Sequence, residues 1–278
     1  MYISIDIGGT NTRIASSENL KDISELTIFD SIHSLPEQKA KIEETINILA
    51  GGRPIEGICV GVPGVVVRET SAIQRAPNYP ELNGVLLSDL LSAFSGSKLV
   101  LENDAALGAL SEAVRGSGVG YYSVAYLTLG TGVGGALIEN SEINKNRKVS
   151  EPGHMIINFD NTASDNLGYV GSLEAYTSGL SFENLYGQKA DTCVDRGIWL
   201  RYGNNLATGI SNIVLLWGPD IIVIGGGISD KFEYFIDGVS SKLKDYNFFA
   251  PPKIVKSAFE DKSGVIGGFV QLEQLLKS

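Results

Sequence analysis

The 278-residue sequence is poor in the residues that build covalent or metal frameworks: it has two cysteines, two histidines and two methionines. Cys59 and Cys193 are too few and too far apart for a disulfide framework or a cysteine-based zinc site. Both read as buried thiols packing as small hydrophobes. Positive charge is also scarce: 22 Lys and Arg stand against 32 Asp and Glu, a net charge of −10 with His neutral. A nucleic-acid binder usually carries a basic footprint, so no nucleic-acid partner is expected. A nucleotide ligand remains compatible with this charge, because backbone N–H groups can hold phosphate inside an acidic protein. No apolar run reaches membrane-spanning length, and the N-terminus lacks the basic and apolar regions of a signal peptide. A cytoplasmic protein without a membrane partner is the expectation. The pattern G-x-x-x-x-G-K-[ST] is missing too, which excludes a P-loop enzyme.

What is present alternates strands with helices. YISIDI, TRIASS and LTIFDSI read as three short strands separated by turn residues. Ser34 and Glu37 form a capping-box pair with Pro36 in the first turn, and Ile42, Ile46, Leu49 and Ala50 share one helical face up to Gly51 and Gly52. IEGICVGVPG and KLVLEND read as strands, and AALGALSEAVRG as a helix ending at Gly116. In the second half VAYLTLG and GALIEN pair around a glycine turn. A short helix begins near Ser172, a long one runs from about Thr192 to Trp217 with Val194 on its apolar stripe, and DIIVIGGG is a buried strand. The tail adds a helix, the strand KIVKSA and a last helix from about Gly264. Each half opens with a hairpin carrying a Gly/Thr turn. The expected fold is α/β, with two lobes of mixed sheet and helices around a cleft. The lobes are placed at residues 1–116, joined by the last helix (about 264–278), and 117–263.

Five motifs carry chemistry. In DIGGTNTR, a strand delivers Asp6, and Gly8 and Gly9 permit a tight turn close to a ligand. With Thr10, Asn11 and Arg13, this turn is either an ordinary hairpin or a phosphate cradle, with Asp6 near Mg²⁺ through water. In LGTGVGGA, Gly130, Gly132 and Gly135 formally satisfy G-x-G-x-x-G, but a strand follows where the dinucleotide fingerprint needs a helix. A second phosphate-holding hairpin fits better, with Thr131 as hydroxyl donor. In VIGGGIS, Gly225, Gly226 and Gly227 imply close backbone approach, either to an adenosine moiety or simply within a structural turn. In LENDAALGAL, Asp104 is a helix N-cap, a general base, or both. In EPGHM, Glu151 and His154 suit hydrogen bonding to sugar hydroxyls, and Asn78 and Glu174 could join them. His33 reads as structural.

Together, in this order, these motifs resemble the ROK family of sugar kinases within the actin/hexokinase-like ATPases. Asp6-Gly8-Gly9-Thr10 and LGTGVGGA look like its phosphate loops, VGVPG (Gly61 to Gly64) and Asn78 like its sugar-side loops, and Glu102 to Asp104 like its catalytic segment. EPGH matches the family's E-x-G-H, GSLEAYTSG the stretch after its cysteine cluster, and VIGGG its adenosine loop. The resemblance implies an actin-like fold and ATP-dependent phosphorylation of a hexose with Mg²⁺. It implies Asp104 as catalytic base and Gly64, Asn78, Asn103, Asp104, Glu151, His154 and Glu174 as sugar-binding residues. By resemblance only, the partner set is a small sugar and a second copy in a homodimer.

One departure stands out. Many family members carry C-x-C-G-x-x-G-C before the L-E-x-Y segment and bind structural zinc with the E-x-G-H histidine. Here the aligned positions are Asp165, Leu167 and Ser172, while Gly168 and Gly171 remain. With the thiolates gone no zinc is expected, and His154 is expected to serve the sugar alone. Glucose is the first substrate reading; N-acetylmannosamine kinase and fructokinase are alternatives. A sugar-sensing regulator would resemble this core plus an N-terminal helix-turn-helix, for which the turn at Asp6 leaves no room. An actin- or chaperone-like ATPase would lack the EPGH ring.

Overall fold

The structure is a computed structural model that describes residues 1–144, 150–160 and 163–277. The described residues fall into two compact units. The first is built on Met1–Val114 and the segment from Lys262, the second on Arg115–Glu142 and Ser150–Asp261.

The first unit contains β1 (Tyr2–Ile7), β2 (Asn11–Ser17), β3 (Glu25–Asp30), α1 (Leu35–Ala50), β4 (Gly57–Val62), a small hairpin of β5 (Val65–Val67) and β6 (Ala72–Arg75), α2 (Leu87–Leu90), β7 (Lys98–Asn103) and α3 (Asp104–Arg115). Its main sheet has the order β3-β2-β1-β4-β7. β1 is antiparallel to β2 and parallel to β4. The second unit contains β8 (Ser123–Leu129), β9 (Val133–Glu139), α4 (Glu174–Thr177), α5 (Gly179–Tyr186), α6 (Arg196–Trp217), β10 (Ile221–Gly225), α7 (Phe232–Leu243) and β11 (Lys253–Lys256). Its sheet runs β11-β10-β8-β9, again a hairpin joined through its first strand to parallel neighbours. The last helix, α8 (Ser263–Lys277), belongs to the first unit.

Period-two alternation in β1 explains how the first unit is layered. Ile3, Ile5 and Ile7 are fully buried in a core shared with Ile42, Ile46 and Leu49 of α1. Tyr2, Ser4 and Asp6 take the other face, and there α8 lies down on the strands through glycines. A Cβ on Gly268 would stand 2.1 Å from Ser4 Oγ, and one on Gly264 would stand 2.7 Å from Asp6 Oδ2. In the second unit, Ala125, Leu127 and Leu129 of β8 pack with α6, whose Trp199 and Tyr202 are fully buried beside Phe182 and Phe235. Among the described residues, no helix is long and apolar enough to cross a membrane.

Several local expectations need correction. Ser34 is the N-cap of α1 by position, but its side chain makes no capping bond. The buried Gln38 stabilises this entry instead, its Oε1 accepting the Ile32 N–H at 2.8 Å. α6 begins at Arg196 rather than Thr192, because Asp195 Oδ1 caps the N–H groups of Gly197 and Ile198. Val194 therefore lies outside the helix and is exposed.

Candidate active site

In the first unit, the hairpin between β1 and β2 closes by Gly8 N–H donating to Asn11 O at 2.9 Å. Asp6 pairs with Arg13 across the hairpin, Arg13 Nη1 lying 3.9 Å from Asp6 Oδ2. The turn is held from behind: Ser31 Oγ donates to Gly8 O at 2.6 Å, Ser31 N–H donates to Thr10 O at 2.8 Å, and His33 Nε2 lies 3.1 Å from Gly9 O. Thr12 Oγ1 joins Ser31 Oγ and the Gln38 amide in one buried network. Gly9 has its own requirement, since a Cβ there would stand 3.0 Å from Asn78 O. The loop carrying Asn78 is thus seated against the glycine turn. Tyr79, fully buried, anchors that loop by donating its hydroxyl to Ile32 O. Burial, reinforced by Glu81, pushes the Tyr79 phenol up to about 12. Asn78 itself is exposed.

β7 delivers Glu102 and Asn103, and α3 opens at Asp104. Asn103, not Asp104, makes the capping bond: its Oδ1 accepts the Ala106 N–H at 2.9 Å. Its amide donates to Gly64 O at 3.0 Å and to Asp104 Oδ1 at 3.2 Å. Asp104 Oδ1 also accepts the Ala105 N–H at 2.8 Å. The carboxylate is therefore fixed in the first turn of α3, where N–H dipoles favour negative charge. Gly64 sits at φ 84°, and a Cβ on it would meet Arg75 O at 2.2 Å, so the turn tolerates no side chain here. Beneath Asp104, the buried Glu102 receives two bonds from Arg68, Nε at 2.6 Å and Nη2 at 2.7 Å, plus the Asn103 N–H at 2.8 Å. This fork is invisible to motif reading, because its partners lie 34 residues apart.

In the second unit, β8 and β9 are joined by Gly130, Thr131 and Gly132, with Gly130 N–H donating to Gly132 O at 2.9 Å. Gly179 N–H at the start of α5 donates to Gly130 O at 2.7 Å. Thr131 is exposed, and Gly130 has open space where a Cβ would stand. The Pro152–His154 turn packs on β9 so closely that a Cβ on Gly153 would stand 2.0 Å from Val133 O. Glu174 is buried at the start of α4, and its Oε2 accepts the Val133 N–H at 2.8 Å. Burial raises its carboxyl above the usual range, against the opposing pull of that N–H and His154. Glu151 is exposed at the head of the turn. The glycines of VIGGG divide. Gly225 and Gly226 lie against β8, where a Cβ would meet Tyr126 Oη at 2.2 Å and Leu129 N at 2.6 Å. Their close approach is to the protein's own strand; only Gly227 faces open space.

His154 is not left alone by the missing thiolates. Its Nδ1 lies 2.8 Å from Asp165 Oδ2, which also accepts from Ser172 Oγ at 2.7 Å. Asp165 Oδ1 accepts the N–H groups of Leu167 and Tyr169 at 2.9 and 3.0 Å. Tyr169 stacks on the imidazole, with centroids 5.0 Å apart. Burial alone would raise the Asp165 carboxyl, but these four bonds outweigh it and hold it below the usual carboxylate range. His154, Asp165 and Glu174 bring ligand-type atoms within 4.8 Å of one another. They do not fit the family's zinc. No thiolate stands at positions 165, 167 or 172, the four acceptor directions of Asp165 are taken, and Glu174 Oε2 holds a backbone N–H. The retained glycines have separate reasons: Gly168 and Gly171 adopt φ of 83° and 76°, and a Cβ on Gly171 would meet Asn158 O at 1.9 Å.

Known proteins resemble this chain over nearly its whole length. The chain is 28% identical to a glucokinase of Thermotoga maritima, the match covering 95% of both chains. It is 30% identical to an N-acetyl-D-glucosamine kinase of Haemophilus influenzae, over 96% of this chain and 97% of the relative. A solved ROK family glucokinase of Streptomyces griseus, in complex with glucose and AMPPNP, shares the fold with a TM-score of 0.82 at 23% identity, over 98% of this chain and 99% of that one. The family's own pattern, described as "ROK family", matches residues 2–274, and the chain belongs to the ROK family.

Proposed function

We propose that this protein is an ATP-dependent sugar kinase acting on a hexose or N-acetylhexosamine, with glucose as the first candidate and Asp104 as general base. The observation that carries the reading is the setting of Asp104. Its carboxylate is fixed at the first turn of α3 by its neighbours' amides, beside a loop pinned by Asn103 to Gly64 O. A group so held is pre-oriented toward an incoming hydroxyl. Asp104 accepts the proton of that hydroxyl as its oxygen bonds to the γ-phosphorus and ADP leaves. The names borne by the relatives support the substrate class: one phosphorylates glucose and another N-acetyl-D-glucosamine.

The other groups take matching roles. Gly8, Gly9, Thr10 and Asn11 form one phosphate-facing turn, and Gly130, Thr131 and Gly132 form the other. Gly227, the open glycine of its loop, suits the nucleoside better than Gly225 or Gly226. Asp6 is already partly offset by Arg13, so its carboxylate suits Mg²⁺ held through water rather than direct ligation. Bound Mg²⁺ would supply charge compensation at the phosphates. Asn78, Asn103, Glu151, His154 and Glu174 are the sugar-binding set. The test is a coupled phosphorylation assay with Mg-ATP against hexoses and N-acetylhexosamines. Turnover of one or more sugars is expected. ATP hydrolysis that ignores sugar, or ATP binding with no sugar phosphorylated across the panel, would overturn the reading.

A further inference from the structure

Where the family resemblance implies a cysteine cluster, this chain builds a hydrogen-bonded centre of its own. Two of the three replaced positions now form one chain of bonds to His154: Asp165 meets the imidazole, and Ser172 donates to Asp165. The Asp165 side chain is fully buried, with its two oxygens receiving two donors each. Ser172 passes the order onward: its Oγ accepts the Ala175 N–H at 3.2 Å, at the start of the helix that carries Glu174. Backbone bonds close the loop around this centre. Gly171 N–H donates to Ala163 O, and Gly171 O accepts from Ile157 and Asn158.

We propose that Asp165 is the positioning residue of His154, a hydrogen-bonded anchor that takes the place of the family's zinc. An ionised carboxylate can only accept. Facing Nδ1, it makes the neutral ring carry its proton there. Nε2 is then the ring's acceptor, and Tyr169 holds the ring plane by stacking. This inference rests on the reading of His154 as a sugar ligand: an acceptor at Nε2 selects a substrate hydroxyl that donates. An Asn at 165 would reverse the arrangement. Its carbonyl oxygen must stay on the two backbone N–H groups of Leu167 and Tyr169, so its NH₂ turns to His154. Nδ1 would then accept, and Nε2 would carry the proton.

The test begins with the wild-type protein, labelled with ¹⁵N at histidine and examined by long-range ¹H–¹⁵N correlation at a pH where the ring is neutral. The Nδ1–H tautomer is expected for His154, together with far less than one equivalent of zinc in the metal content of the purified protein. Asp165→Asn is expected to switch the tautomer and raise the KM for sugar on the order of tenfold, with the KM for ATP unchanged. If that variant does not fold, Ser172→Ala removes one donor while leaving the Asp165–His154 contact, and the Nδ1–H tautomer should persist. An Nε2–H tautomer in the wild type, or one tightly held zinc per chain, overturns the proposal. The spectra are read without substrate. An anchor seen in a protein that phosphorylates no sugar would therefore sink the kinase reading alone, and a kinase with the opposite tautomer would sink the anchor alone.

Discussion

Gly153→Ala is a small change with a computable consequence. The added methyl would stand 2.0 Å from Val133 O and 3.1 Å from Val133 Cβ, against a lower limit near 3.0 Å for real Cβ contacts. The Pro152–His154 turn and the start of β9 must therefore separate by about 1 Å. Neither side yields easily. Val133 is paired with Leu129 in the β8–β9 ladder, and its N–H is held by Glu174. Overpacking of this kind costs about 1–3 kcal/mol, which corresponds to a fall in Tm of roughly 2–12 °C. The displacement also moves His154 and the edge of the Gly130–Gly132 turn together, and a misplacement of about 1 Å can cost on the order of 10²-fold in rate. Differential scanning calorimetry and steady-state kinetics on the best sugar would read both effects. Gly96→Ala is the matched control, because it has open space around the new methyl; it should be neutral or slightly stabilising. Wild-type Tm and kcat in Gly153→Ala would refute the packing argument.

Other outcomes follow from the same geometry. Glu102→Gln or Arg68→Met breaks a largely buried two-bond ion pair and should destabilise by about 3–5 kcal/mol in denaturant titration, with much of the loss recovered when both partners become apolar. Native protein should resist thiol reagents at both cysteines and react at both after denaturation, since both are fully buried and burial raises the Cys59 thiol. Glu174, whose folded carboxyl titrates higher than when unfolded, should stabilise the fold fully below its unfolded pKa. That contribution should be lost as pH rises through the folded value. Glu174→Gln should flatten this part of the stability profile measured between acid and neutral pH.

The hairpins and parallel strands were readable because their signals are local: glycine turns, buried β-branched runs and the period-two pattern of β1. The glycine turns at 8–9 and 130–132, the Asn103–Asp104 junction and the EPGH segment could likewise be located from their residues. What supports them could not. The Arg68–Glu102 fork and the Gln38–Thr12–Ser31 network join residues far apart in the chain, and no motif marks them. The β5–β6 hairpin is short and bulged between Val65 and Val66, leaving little alternation to detect. The glycines of VIGGG were ambiguous for a physical reason. A missing Cβ shows that something comes close, but not whether it is a ligand or, as at Gly225, the hydroxyl of Tyr126. The loop before Ser172 was readable only as a loss of thiolates. That an aspartate would hold the histidine, with a serine bonded to the aspartate, depends on side-chain directions that spacing does not encode.

The general-base role of Asp104 is decided by Asp104→Asn, assayed with Mg-ATP and the best sugar of the panel. The amide oxygen can still accept the Ala105 N–H that Asp104 Oδ1 holds, so the fold and the KM values should change little. A fall in kcat of roughly 10²–10⁴-fold, the usual worth of a general base, is expected. A variant with kcat near wild type would contradict that role.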